Sequence, residues 1–279
     1  MTDETRLFSD RESLCRDAAG ELLRILADAV RDRGAASAVL TGGGTGTGIL
    51  SALSDLVSAV PGVPADLRIP DWSRVHLWWG DERFLPAGDQ DRNEQQAEEA
   101  LLQDLVTQHG MPAANIHRMP AADSAAAAGT VPPETPVLES IMTAAEAYAS
   151  ELADHARVDG GPDERLPVFD VVMLGVGPDA HVASLFPGLP GPLTRGATVI
   201  AVVDSPKPPP WRLSLTVEAL HTAERLWFVV AGADKAEAVA AVRQARDGKT
   251  TDAARWPASV VSGRDDTVWW LDEAAAGQV

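Results

Sequence analysis

The 279-residue sequence contains one cysteine, Cys15, which excludes an internal disulfide and any cysteine-built structural zinc site. Positive charge is scarce: 23 Lys and Arg face 41 Asp and Glu, a net charge of −18. That balance excludes a general nucleic-acid or membrane-surface binder. An anionic ligand remains possible only at a site made locally positive by fixed donors. No apolar run reaches the length of a membrane span, and the opening MTDETRLFSD has no signal-peptide pattern, so the expected location is cytoplasmic. Repeats at solenoid periods are lacking too. Lysine is nearly missing, with Lys207, Lys235 and Lys249 alone among the basic residues. Coding bias accounts for most of that, yet two of the three fall in segments that matter below. What is present, 45% hydrophobic residues, suffices for a real core in one large α/β domain or two small ones.

The chain is organised around VFDVVMLGVGPDAHVASLFPG, residues 168–188. Val168 to Leu174 is apolar except for Asp170, the pattern of a strand buried on both faces of a parallel sheet. Gly175 and Gly177 follow, and Pro178 is placed to open a helical turn with Asp179 near its positive end. His181 lies two residues on, at the carboxyl end of the strand, where open α/β sheets bind ligands. A titratable His beside an Asp at that position is the leading catalytic candidate.

Other segments repeat this strand-then-charge grammar. Ser9–Arg33 predicts an amphipathic helix closed by Gly34. Ala38–Leu40 predicts a strand running into TGGGTGTG and then the helical ILSALSDLVSAV, an arrangement that points backbone N–H groups at an anion. The loop has neither a Walker Lys nor G-x-G-x-x-G spacing, which favours a sugar phosphate over a nucleotide. VHLWW predicts a strand ending in Gly80-Asp81-Glu82-Arg83, with a helix over 92–106. Residues 121–136, rich in Ala and Pro, predict a surface loop insertion, and a helix spans about 138–155 with His155 exposed on it. Residues 197–204 predict another buried strand, leading to SPKPPPWRLSLT, where four prolines stiffen the chain around Lys207 and present Arg212. Residues 225–231 predict a strand that places Lys235 at a further strand end, and 267–271 the last strand. The eight tryptophans predict core or edge packing, with Trp211 open to a place in the pocket.

Residues 175–180 formally fit G-x-G-x-x-A. Pro187-Gly188 cuts the following helix short, Asp179 would face a pyrophosphate, and no acidic strand end follows about 20 positions on, so a dinucleotide site is disfavoured.

Taken together, LTGGGTGTG, WWGDERFLPAGDQDRNEQQAEEALL, FDVVMLGVGPDAHVASLFPG and DSPKPPPWRLSLT resemble, in family order, the 6-phosphogluconolactonases of the glucosamine-6-phosphate isomerase/deaminase superfamily. The resemblance implies one Rossmann-like α/β domain over 1–279, its mostly parallel sheet flanked by helices. It implies no metal, no cofactor, no obligate protein partner, and 6-phospho-D-glucono-1,5-lactone as substrate. His181 is similar in place to the family's general base, with Asp179 or Asp81 orienting the ring or the sugar hydroxyls and Arg83 balancing those carboxylates or touching substrate. Thr45, Lys207, Arg212 (by a bidentate fork) and Lys235 would hold the 6-phosphate; backbone N–H groups near Gly43 and Gly44, or Gly177, would support the oxyanion. The family's usual Gly-Gly-Ser-Thr-Pro reads Gly43-Gly44-Thr45-Gly46 here, and its Pro-Asp-Gly-His has Ala180 in place of the glycine, which implies ordinary backbone angles at 180. A glucosamine-6-phosphate deaminase and a non-catalytic sugar-phosphate sensor are the alternatives; the PKPPP-x-R segment favours the lactonase.

Overall fold

Short apolar runs ended by glycine or charge become the strands of the main sheet, in a computed structural model that describes residues 2–58, 68–123, 135–159 and 163–278. In chain order the first elements are β1 (Thr2–Phe8), α1 (Arg11–Arg33), β2 (Ala36–Leu40), α2 (Gly43–Ser58), β3 (Val75–Trp79), β4 (Asp81–Arg83), α3 (Asn93–Ala97), α4 (Gln103–Gln108) and α5 (Thr135–Asp159). There follow β5 (Val171–Leu174), β6 (Val199–Val202), β7 (Arg212–Leu215), α6 (Val217–Leu220), β8 (Arg225–Val230), α7 (Ala236–Asp247), α8 (Pro257–Val260) and β9 (Asp266–Asp272). Six strands pair in the order β1-β9-β8-β5-β2-β3, every pair parallel. β2 and β5 are buried at every position, as strands covered by helices on both faces must be.

Local chemistry sets the helix ends. Asp10 accepts the Ser13 N–H at 2.8 Å and starts α1; Gly34, at φ 83°, ends it. The inward face of α1, from Leu14 to Ala29, packs on the sheet. Trp78, Trp79, Trp227, Trp269 and Trp270 are fully buried in the core. Each such large apolar side chain contributes roughly 1.5–3 kcal/mol. No helix among the described residues is long and apolar enough to cross a membrane.

The fold departs from the expectations in several places. β6 does not join the main sheet: β4, β7 and β6 form a separate three-stranded antiparallel sheet. The chain switches sheets at Gly80, whose N–H bonds Leu40 O while its own carbonyl accepts from Leu215. The proline-rich loop is thereby the connection of an antiparallel pair, β6 to β7. β1, not foreseen, edges the main sheet beside β9. Asp170 precedes its strand and is structural: its buried carboxylate accepts the Ser37 N–H at 2.8 Å and pairs with Arg33. The helical stretch over 93–108 contains a π turn at Glu98–Leu102. Most of the expected insertion at 121–136 lies outside the described residues, and α5 already begins at Thr135. His155 is half-buried rather than exposed, for a reason taken up below.

Candidate active site

Four neighbouring strands, β8, β5, β2 and β3, end on the same edge of the sheet because all run parallel. The chain runs outward from β2 to β3 in one direction and from β5 to β8 in the other, so the reversal falls between β2 and β5. That is where a crevice opens in a doubly wound sheet. A cavity of about 380 Å³ lies there, lined by residues from the ends of all four strands and from the proline-rich loop. Gly43, Gly44, Thr45, Asp81, Arg83, Gly177, His181, Lys207, Arg212 and Lys235 all line it. Asp179 stands behind the imidazole rather than on the wall.

Asp179 Oδ1 lies 2.6 Å from His181 Nδ1. A carboxylate only accepts, so in the neutral ring the proton is on Nδ1 and the lone pair on Nε2. Lys207 Nζ is 3.3 Å from the same carboxylate oxygen and 3.3 Å from Nδ1. Burial pulls the Asp179 carboxyl upward, but the hydrogen bond and charge of His181, together with Lys207, outweigh it and hold it well below the usual carboxylate range. Among the described residues Asp179, and not Asp81, is the carboxylate hydrogen-bonded to the ring, while Asp81 Oδ2 accepts from Ser184 Oγ at 2.6 Å.

The loop carrying the dyad is a tight turn and not the opening of a helix. Gly177 N–H donates to His181 O at 2.9 Å and Ala180 N–H to Gly177 O at 2.8 Å. This spends the Gly177 N–H, which removes it as an oxyanion donor. It also forces Ala180 to φ 65°, contrary to the ordinary angles expected there. Gly177 is required by crowding: a Cβ on it would meet His181 Nδ1 at 2.0 Å and Asp179 Oδ1 at 2.5 Å.

On the opposite wall the glycine-rich stretch is itself helical, with α2 starting at Gly43 rather than at Ile49. The first-turn N–H groups of a helix have no partner within it, and they carry its positive end. Around them stand Arg83, Lys207, Arg212 and Lys235, a concentration of positive charge on a chain of net charge −18. Arg212 departs from the expected bidentate fork. Its Nε donates to Pro209 O and its Nη2 to Lys207 O and Pro208 O, at 3.0–3.1 Å, so this edge clamps the loop. Of its three nitrogens only Nη1 has no hydrogen-bond partner among the described residues. Burial, and Arg83 nearby, pull this guanidinium's pKa down.

The sequence model of the family described as glucosamine-6-phosphate isomerases/6-phosphogluconolactonase matches residues 9–270. The chain belongs to that family. It is 44% identical over 287 residues to a 6-phosphogluconolactonase of Streptomyces coelicolor, covering all of this chain and 96% of that protein. A 6-phosphogluconolactonase of Mycobacterium tuberculosis is 37% identical over 279 residues, covering 100% and 99%. The crystal structure of 6-phosphogluconolactonase from Leishmania guyanensis superposes with a TM-score of 0.75 at 25% identity, over 99% and 98% of the two chains.

Two site residues escaped the sequence reading. Asn93, the first residue of α3, lines the cavity; its Nδ2 donates to Asp81 O at 2.9 Å and its Oδ1 is buried with no hydrogen-bond partner. A Cβ at Gly42 would strike that Oδ1 at 1.9 Å, so the glycine makes room for the amide. Glu82 lies behind the wall and holds it together, accepting from Arg83 N and Asn93 N at 2.7 Å and from Glu94 N at 2.8 Å. Burial pushes this carboxyl up to about 7 despite Arg92 and the three donors. A polar Asn at the first position of a helix gives no periodic signal, and only its pairing with the GDER backbone marks it. Trp211, by contrast, is buried and does not line the cavity.

Proposed function

We propose that this protein hydrolyses 6-phospho-D-glucono-1,5-lactone to 6-phosphogluconate, with His181 as general base. The observation that carries the reading is the His181–Asp179 pair, 2.6 Å apart, at a cavity that also collects four cationic side chains and a helix N-terminus. Neutral Nε2 takes a proton from a water as its oxygen bonds to C1. Asp179 stabilises the resulting imidazolium without taking its proton. Collapse of the tetrahedral adduct breaks the bond from C1 to the ring oxygen, and Nε2 returns the proton to that oxygen, which becomes the 5-hydroxyl. One water is consumed and the new carboxylic acid ionises in solvent.

At the other end of the substrate, the first-turn N–H groups at Gly43, Gly44 and Thr45, the free Nη1 of Arg212 and the Lys235 ammonium hold the 6-phosphate dianion. Lys207 sits too close to the dyad for that duty alone; it balances Asp179 at the reacting end. Arg83 and Asn93 face the sugar from the wall beside Asp81. No cofactor is needed for this chemistry, and a soluble sugar-phosphate lactone fits a cytoplasmic location.

The test is the decay of freshly made 6-phosphogluconolactone followed by NMR, with and without protein, spontaneous hydrolysis serving as the blank. Decay at the blank rate rejects the proposal. Glucosamine 6-phosphate offered in a parallel ammonia-release assay should give no turnover, and turnover there in place of lactone hydrolysis would assign the chain to the other activity in the family's description.

A further inference from the structure

A second cluster of titratable groups lies away from this cavity, and none of its members lines it. His76 is the second residue of β3; His117 follows Ile116, which bridges to Leu77, and donates its N–H to Leu77 O at 2.8 Å; His155 projects from α5. Three segments distant in sequence thus bring three imidazoles together, with potential ligand nitrogens all within 4.8 Å of one another. The rings are fixed by packing: His117 stacks on Trp78 at 3.7 Å between centroids, and His155 meets His117 edge-on at 4.4 Å.

We infer that His76, His117 and His155 form a binding site for one divalent transition-metal ion of the zinc class, clamping β3 and α5 together.

Three details favour a cation over mere ring packing. First, one residue of α5 orients two of the rings: Glu151 accepts from His117 Nδ1 at 2.7 Å through its carboxylate and from His155 Nδ1 at 3.1 Å through its backbone carbonyl. Both rings therefore present Nε2 as the lone-pair atom, the second-layer arrangement that metal-bound histidines use. Second, His117 Nε2 lies 2.9 Å from His76 Nδ1. Two nitrogens on one tetrahedral zinc stand about 3.3 Å apart, given bond lengths of about 2.0–2.1 Å, so small ring rotations admit the ion. The ion takes the place of the proton now shared between these two atoms, and His76, only partly buried, carries its N–H on Nε2 instead. Third, the donor set is nitrogen alone and includes a buried imidazole, which suits zinc, cobalt, nickel or copper and not magnesium or calcium. Three protein ligands leave a fourth position for water. The Tyr148 hydroxyl, on the same helix, accepts from Trp79 N at 3.0 Å, so the ion would add a second tie between these two elements.

The experiment uses the full chain stripped with a chelator and titrated with zinc chloride by calorimetry, with bound metal counted by mass spectrometry. Wild type should take up one zinc per chain and melt at a higher temperature with it. His76→Gln and His155→Gln, both at partly exposed positions, should each weaken zinc binding at least tenfold, and Glu151→Gln by about 10–100-fold. His181→Gln, which alters the other histidine site, should leave the zinc affinity unchanged. Cobalt(II) in the wild type should give the strong visible bands of a four-coordinate ion and lose them in His155→Gln. Absence of stoichiometric zinc in the wild type overturns the inference. So does zinc binding that survives His76→Gln and His155→Gln but is lost in His181→Gln.

Discussion

Lys207 Nζ and His181 Nδ1 stand 3.3 Å apart, joined through a single oxygen of Asp179. A lysine from the β6–β7 connection therefore meets the imidazole at the end of β5, and the two sheets are locked at the point where chemistry is proposed. Asp179, held below the ordinary carboxylate range, stays ionised throughout the working pH range. The stability this pairing contributes is lost only as pH falls below that range.

Replacing His181 by Ala should lower kcat by roughly 10²–10⁴ while leaving KM nearly unchanged, as removal of a general base does. Asp179→Asn should lower kcat as well, and the double variant should be little worse than His181→Ala because the pair acts as one unit. Initial rates on fresh lactone, corrected for the spontaneous reaction, measure this. Full additivity of the two losses would show that the residues act separately.

Gly177→Ala tests the crowding around the dyad. The new methyl would sit within about 2.0 Å of the imidazole nitrogen, so the ring must move. A displacement of about 1 Å at a reacting group costs on the order of 10² in rate. We expect a kcat loss of that order with an unchanged far-ultraviolet circular dichroism spectrum. Wild-type turnover in this variant would show that the turn yields without moving the base.

Ala180 poses a question of magnitudes. Its left-handed angle costs roughly 1–2 kcal/mol. Glycine removes that strain, but it loosens the unfolded chain by about 0.4–1 kcal/mol and gives up a buried methyl worth roughly 0.8 kcal/mol. Ala180→Gly should therefore lie within about 1 kcal/mol of wild type in urea denaturation. Ala180→Val, a branched side chain in the same strained and fully buried place, should cost more than about 2 kcal/mol.

Arg212→Ala should raise KM through lost phosphate contact and also lower kcat. Its Nε and Nη2 hold the carbonyls of Lys207, Pro208 and Pro209, so truncation frees the loop that positions Lys207. Arg212→Lys should rescue KM in part and kcat hardly at all, because an ammonium cannot reproduce the clamp on those three carbonyls. Steady-state kinetics on the two variants separates the effects; a change in KM alone would mean that the clamp has no bearing on the chemistry.

Glu82 predicts a pH dependence of stability. Burial raises its carboxyl from 4.5 to about 7, so the folded chain binds this proton more tightly than the unfolded chain. The corresponding stability is complete below 4.5 and is lost as pH rises through about 7. Glu82→Gln does not titrate there. Thermal melts of the two proteins should therefore converge, or shift in favour of the Gln variant, as pH climbs from about 5 to about 8. A gap that stays constant over this range would mean that Glu82 does not titrate within it.

Much of this was legible in the sequence, for a physical reason. Strands buried on both faces read as apolar runs, and β2, β3, β5 and β8 all do. The charges and glycines that end those runs collect on one edge because the strands are parallel, which is how residues 43, 83, 181 and 235 come together. What escaped depends on partners remote in sequence. β4 is three charged residues that form a strand only because β7 pairs with them. β1 carries Asp, Glu and Arg among few apolar residues because it lies on a sheet edge. The early start of α2 runs against glycine's poor helix propensity, yet Gly46 is needed there, since a Cβ would meet Thr41 O at 2.2 Å. The three-histidine cluster joins positions 76, 117 and 155, which no local pattern connects.

The antiparallel register of β4 and β7 sets Arg83 directly across from Arg212. Two guanidinium groups so placed repel, at a cost of roughly 0.2–1 kcal/mol for like charges facing across a ladder. Asp81 offsets part of that repulsion at Arg212, and a doubly charged oxyanion that settles between those arms would offset more of it. Inorganic phosphate alone should therefore protect the protein against heat, less so as sodium chloride is added, making thermal tolerance a readout of occupancy even when no reaction takes place.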